Sequence, residues 1–181
     1  MIRIISGKFR HREVFQPDSK DVRPTQDRVR EALFSALHDV EDKVVLDLFA
    51  GSGAYGFEAL SRGAKKIYFN DALKLSYNAI AKTADSLKCK ESIELTLLDY
   101  KNALNRHKDI KFDLVFLDPP YKMDVNNKII EFLVSNDMLS ENAIIVVEQE
   151  IDIKEVEGFT LKRYKYGYKQ VGILRRVNLW K

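Results

Sequence analysis

A chain of 181 residues, 45% hydrophobic and 31% charged, is large enough to bury a core and has the composition of an ordinary globular protein. A single cysteine, Cys89, excludes an intrachain disulfide and a cysteine metal cluster; His11, His38 and His107 stand without ligand spacing, so no metal is expected. No apolar run approaches a membrane span, and Met1-Ile2-Arg3-Ile4-Ile5 meets a charge too soon for a secretory signal, so a cytoplasmic protein is expected.

The net charge of +3 is unevenly spread. Residues 1–30 carry eight Lys or Arg against four acids, and residues 158–181 carry seven against none. The two ends therefore form a candidate basic surface for a polyanion such as nucleic acid; the competing reading is a solvated face.

In chain order, Ile2 to Ser6 and Arg12 to Phe15 predict two short strands of a basic hairpin or arm over residues 1–24. Thr25 is a good N-cap and Asp27 places an acid in the first turn, so a helix follows, with Val29, Ala32, Leu33, Ala36 and Leu37 as its apolar stripe. Its first turns present Arg23, Arg28 and Arg30. Lys43 to Phe49 reads as a buried parallel strand that runs into Gly51-Ser52-Gly53-Ala54-Tyr55-Gly56. A helix over Phe57 to Arg62 then stops at Gly63. Strands over Lys66 to Phe69 and Ile93 to Leu98 flank a helix over Leu73 to Leu87. A short helix near Lys101 to His107 leads to a strand over 112–118, a helix over Val125 to Val134 and a strand over Ala143 to Val147. This alternation predicts a doubly wound α/β sheet with right-handed crossovers. Phe159 to Tyr166 and Val171 to Leu179 have no helix between them and predict an antiparallel hairpin closing the sheet. One domain over 1–181 is expected, an arm over 1–24 followed by a Rossmann-like core over 25–181.

Gly51-x-Gly53-x-x-Gly56 lies between a strand and a helix, where a nucleotide fingerprint belongs. Asp71 ends the second strand about twenty residues on and suits ribose hydroxyls; Asp99 ends the third and suits an adenine amino group. A dinucleotide site would use the same residues as far as Asp71. Asp47, inside the strand before the loop, would repel a pyrophosphate but suits the ammonium of a methionine moiety, which favours S-adenosylmethionine. Taken singly, Asp71 and Asp99 could equally be helix caps. The fourth strand ends in Asp118-Pro119-Pro120-Tyr121. Two prolines remove two N–H donors and fix the chain, so a row of acceptors with outward-facing carbonyls is expected beside a carboxylate and a ring. Such a row can hold a planar group bearing an NH2; the competing reading is a strand end followed by a stiff turn, with Tyr121 as core filler.

These stretches resemble the class I S-adenosylmethionine-dependent methyltransferases, and most of all the bacterial RsmD-type 16S ribosomal RNA guanine-N2 methyltransferases. The resemblance rests on Arg3-Ile4-Ile5-Ser6-Gly7, Arg23-Pro24-Thr25-x-Asp27-Arg28-Val29-Arg30-Glu31, Asp47-x-Phe49-Ala50-Gly51-Ser52-Gly53, Glu58-Ala59-Leu60-Ser61-Arg62-Gly63-Ala64 and Asp118-Pro119-Pro120-Tyr121. It implies a class I methyltransferase sheet, mostly parallel, with S-adenosylmethionine held by Asp47, Phe49, Gly51, Ser52, Gly53, Asp71, Ala72, Asp99 and Tyr100 and released as S-adenosylhomocysteine. It implies a target guanine in 16S RNA of the small subunit or of an assembly intermediate, worked on by Asp118, Pro119, Pro120 and Tyr121 of a monomer. Arg10, Arg12, Arg23, Thr25, Arg28, Arg30, Lys165 and Lys169 are the candidate RNA contacts. Two stretches depart from the family pattern: Asp71 stands where the family often has Glu, with Leu73 two residues on where a polar residue is usual, and Tyr55 replaces a usual aliphatic residue. Adenine N6 in DNA or RNA, and a non-catalytic RNA-binding assembly module, stand as alternatives.

Overall fold

The computed structural model describes residues 1–17, 25–120, 123–149, 153–166 and 169–177, the side chains of Thr25, Gln26 and Lys169 excepted. Strands β1 (Ile2–Arg3) and β2 (Glu13–Val14) pair antiparallel as a small separate ribbon. The main sheet holds β3 (Val44–Asp47), β4 (Lys66–Asp71), β5 (Ile93–Leu97), β6 (Phe112–Leu117), β7 (Leu139–Gln149), β8 (Phe159–Tyr166) and β9 (Lys169–Arg176). Their order is β5-β4-β3-β6-β7-β9-β8. Pairing is parallel from β5 to β7, and β9 and β8 add antiparallel at one side, the hairpin expected from the sequence.

The chain steps outward from β3 to β4 and β5, then returns to lay β6 on the other side of β3. The order reverses there, and the carboxyl ends of β3 and β6 open a crevice at the switch point. One face of the sheet is covered by α1 (Thr25–Leu37), α2 (Ala54–Ser61) and α3 (Lys74–Leu87), with Phe34, Phe57, Phe69 and Phe116 in its core. The other carries α4 (Tyr100–Arg106) and α5 (Asn126–Ser135), packed on Leu46, Val115, Leu117, Ile145 and Val147. Residues alternate between these two cores along β6 and β7 because side chains of a strand point to opposite faces.

Several elements differ in their bounds from the sequence expectation, β1, β7 and β9 among them, and in three the structure shows the reason. Helix α2 begins at Ala54, within the glycine stretch, because Gly53 takes φ +78 and turns the chain directly into the helix. Strand β4 runs on to Asp71 because Asn70 is tied on both sides. Its amide donates to the carbonyls of Leu48 (3.2 Å) and Leu98 (3.0 Å), and its oxygen accepts from Thr96 Oγ1 at 2.8 Å. In α1 the buried stripe is Val29, Arg30, Leu33, Phe34 and Leu37, while Ala32 is exposed. The helix turns that way because Phe34 packs on Phe116 at 5.9 Å between ring centres and Arg30 has a buried carboxylate to meet.

Candidate active site

Asp47 ends β3 and is 3% exposed. Its Oδ2 accepts from the Gly56 N–H at 3.1 Å, which fixes the carboxylate beneath the glycine loop. Burial pushes its pKa from 3.8 up to about 7, the Gly56 hydrogen bond opposes the rise, and the nearby Asp71 adds to it. Gly51 has φ +56, and a Cβ added there would meet nothing within 4 Å. Its bareness therefore serves the backbone turn and the open space above it, not packing. Gly56 differs: a Cβ there would come within 2.2 Å of the Phe69 ring, so this glycine lets α2 lie close on β4.

Asp71 holds the far wall of the loop. Its Oδ2 accepts from Gly51 N–H and its Oδ1 from Leu73 N–H, both at 2.8 Å, which leaves a carboxylate with each oxygen anchored and further acceptor capacity. Ser52, partly buried, and Ala72, exposed, adjoin these two anchors. Asp99 serves as the N-cap of α4, with Oδ1 accepting from Lys101 N–H (3.0 Å) and Asn102 N–H (3.1 Å) and Oδ2 from the Asn102 amide. The Asn102 backbone N–H and then its side-chain amide hold the Asp99 carboxyl below its usual range. Phe49 and Tyr100, both partly buried, tilt together at 5.9 Å and line the α4 side of the crevice.

Asp118 follows β6 on the opposite side of the switch point, partly buried, with Pro119 buried and Pro120 exposed. The carbonyl of Pro120 accepts from Met123 N–H at 2.8 Å. This corrects the expectation that both proline carbonyls face outward: Pro120 closes a turn, which leaves Pro119 as the candidate carbonyl acceptor beside Asp118. Tyr121 lies outside the described residues. A further acid near a strand end, Glu148, is the last residue but one of β7, 6% exposed, and accepts from Tyr55 Oη at 2.8 Å. The sequence expectation stopped at four strand-end acids. Glu148 follows the apolar run Ile144 to Val147 in the same pattern, and that run was the available signal.

Among the described residues no three His, Cys, Asp or Glu side chains converge as a metal site, and no helix is long and apolar enough to cross a membrane. The family model described as conserved hypothetical protein 95 matches residues 2–175. A Haemophilus influenzae protein called ribosomal RNA small subunit methyltransferase D is 41% identical over 172 residues, covering 91% of this chain and 88% of its own length. Its namesake from Escherichia coli K12 is 39% identical over 157 residues, covering 83% and 76%. The chain belongs to the ribosomal RNA small subunit methyltransferase D family. The solved structure of the Escherichia coli protein yhhF matches with a TM-score of 0.86 at 31% identity, covering 97% of both chains, and the fold is the Rossmann-like sheet of the methyltransferases.

Two of the family-like stretches prove to be halves of one contact. Glu58, fully buried in α2, accepts from Ile5 N–H (2.8 Å) and Ser6 N–H (3.1 Å) and pairs with Arg62 Nε at 2.7 Å. Ser61 accepts from the N–H groups of Lys8 and Phe9 through its carbonyl and hydroxyl. Gly7, at φ +84, passes so close that a Cβ would overlap the Ser61 carbonyl oxygen at 1.8 Å.

The candidate RNA contacts separate. Arg30 is corrected outright: 2% exposed, it donates to the Arg3 carbonyl and to Asp27 Oδ1 and lies 3.7 Å from Glu58, so it has no surface to offer an RNA backbone. Arg10 and Arg12 are exposed, but Arg12 donates to the Ser86 carbonyl at the last turn of α3. That turn lies where the strands begin, about 18 Å of helix away from the crevice. Arg28, in the first turns of α1, and Lys165, near the end of β8, are exposed at the crevice end, where the backbone of Lys169 also lies. Arg23, and the side chains of Thr25 and Lys169, lie outside the described residues.

Proposed function

We propose that this protein transfers the methyl group of S-adenosylmethionine to the exocyclic N2 amine of a guanine in 16S RNA of the small ribosomal subunit or of an assembly intermediate. The observation that carries this reading is the placing of two different carboxylates on neighbouring strands of the switch point, Asp47 buried under the glycine loop and Asp118 at the proline turn. The donor set fits the cofactor. A carboxylate held near neutrality by burial gains its charge back when a cation arrives, and a methionine ammonium is such a cation. Gly51 leaves the room that a ligand needs above the loop.

When bound, S-adenosylmethionine supplies a methyl group made electrophilic by the sulfonium that bears it. Asp47 holds the ammonium, and Phe49, Ser52 and Gly53 shape the pocket around the methionine part. Asp71 and Ala72 receive the ribose; Asp99 and Tyr100 flank the adenine. On the acceptor side, the guanine amine is a poor nucleophile because its lone pair is delocalised into the ring. Asp118 and the Pro119 carbonyl accept its two N–H bonds and turn the lone pair out of conjugation. Tyr121 offers a ring for the base once it has left its stack. The proton leaves after the nitrogen has gained its methyl, so no strong base is required. Positioning supplies most of the acceleration, on the order of 7–11 kcal/mol. Arg28, Lys165 and Lys169 meet the RNA backbone.

The test is methyl transfer from labelled S-adenosylmethionine to free 16S RNA, to small subunits lacking the modification and to duplex DNA, followed by digestion to nucleosides. Label in N2-methylguanosine from the RNA or subunit is expected. N6-methyladenine would keep the machinery and overturn the substrate. Asp118→Ala is expected to lower kcat at least about 100-fold while calorimetry finds cofactor affinity unchanged within a few-fold; loss of cofactor binding in the folded variant would remove Asp118 from the acceptor side.

A further inference from the structure

We propose that Glu148 accepts the N1–H of the target guanine and so makes the pocket choose guanine over adenine, with Tyr55 as its positioning residue. The inference rests on the guanine-N2 reading above. Phe116 pairs with Val146 and Leu117 with Val147 across parallel β6 and β7, so Asp118 and Glu148 are the next residues on adjacent strands, about 5 Å apart along the hydrogen-bonding direction. Alternation puts both on the side of Phe116 and Val146, the face covered by α1 and α2.

Tyr55 links the two. Its ring stacks on Phe116 at 5.1 Å and 11°, and its hydroxyl donates to Glu148 Oε2 at 2.8 Å. Burial first, then the charges of Glu148 and Asp118, keep this phenol protonated, so it is the donor and the carboxylate the acceptor.

Carboxylate oxygens accept, and the two of Glu148 offer about four lone-pair sites, one of which takes the Tyr55 hydroxyl. Glu148, Asp118 and the Pro119 carbonyl therefore form a wall of acceptors. The Watson–Crick edge of guanine presents a matching row of donors, N1–H beside the N2 amine. Adenine presents its N6 amine beside a bare N1, and cytosine its N4 amine beside a bare N3. Either base would set a lone pair against the Glu148 carboxylate. Asp118 and Pro119 alone would accept any amino base; the second carboxylate supplies the choice.

The experiment uses small subunits rebuilt with 2-aminopurine at the nucleotide that the wild-type protein methylates. This base keeps the N2 amine and replaces N1–H by a lone pair. Wild type is expected to prefer guanine by about 10- to 100-fold in kcat/KM, the range for a hydrogen bond to a charged group. Glu148→Gln, whose amide can donate to the bare N1, is expected to cut that ratio to a few-fold while cofactor affinity stays as it was. An unchanged ratio in this variant, or no preference in wild type, overturns the role of Glu148 while N2-methylguanosine in the digest leaves the guanine reading standing. N6-methyladenosine in the digest defeats both. Tyr55→Phe keeps the ring stack and loses the donor; a several-fold smaller ratio is expected. Should Glu148→Gln not fold, an unchanged ratio in Tyr55→Phe overturns the proposal.

Discussion

Asp47 carries its carboxyl into the core with little to offset the loss of water. The fold buries its carboxyl and gives it one backbone hydrogen bond, and its pKa rises from 3.8 to about 7. Between those values the folded state holds a proton that the unfolded chain has released, so this group's contribution to stability falls as pH rises from about 4 through about 7. Asn can accept the same Gly56 N–H and has no proton to lose. Asp47→Asn is therefore expected to be more stable than wild type at pH 8, on the order of a few kcal/mol, with the gain vanishing by about pH 4. Thermal melts across that range test it. The same variant is expected to bind S-adenosylmethionine more weakly at pH 8, and wild-type affinity is expected to climb as pH passes through about 7. A difference in melting temperature that does not change with pH would mean that Asp47 keeps its charge in the folded protein. Asp47, Asp71 and Asp118 were legible in the sequence because each closes an apolar strand run. Arg30 was not. An arginine at the start of a helix reads as solvated, and only the distant Glu58 carboxylate, brought in by α2, makes a buried guanidinium tolerable.

At the scale of elements, the arm of β1 and β2 is held to the sheet by polar groups on α2 as much as by its own apolar residues. Ile4 and Val14 enter the core, but Glu58 and Ser61 take up the N–H groups of Ile5, Ser6, Lys8 and Phe9. Removing Glu58 would strand the N–H groups of Ile5 and Ser6 and take from Arg30 and Arg62 their buried carboxylate. Glu58→Ala is expected to cost about 3–5 kcal/mol by denaturant titration, with hydrogen exchange speeding up first at Ile5 and Ser6. A loss below about 1 kcal/mol would show that the arm is held by its apolar contacts alone. The strands and helices themselves were readable from period and punctuation, since buried parallel strands are continuous apolar runs. What the pattern could not carry was long-range: the extension of β4 depends on Thr96, Leu48 and Leu98 satisfying Asn70, and the buried face of α1 depends on Phe116 lying opposite Phe34.

At the scale of the whole molecule, the basic ends of the chain fall, among the described residues, in two separate places. The tip of the arm, with Arg10 and Arg12, is fastened to the last turns of α2 and α3, at the edge where the parallel strands begin. The first turns of α1, the end of β8 and the start of β9 rise at the crevice. Part of the basic C-terminal stretch is also spent internally: Arg163 donates to the Ile153 carbonyl, Arg175 to Ala36 and Arg176 to Leu139. Of the candidate RNA contacts, Arg28 and Lys165 are the two whose described side chains stand exposed at the crevice end. Each phosphate neutralised adds roughly 0.7–0.9 to the slope of log affinity against log salt. Arg28→Ala and Lys165→Ala are each expected to flatten that slope by about one such step for RNA binding, with cofactor affinity unaltered. Arg10→Ala is expected to leave it unchanged. An equal loss from Arg10→Ala would mean that bound RNA follows α3 along its length, and a flat slope in wild type would mean that neither end of the sheet grips phosphate at all.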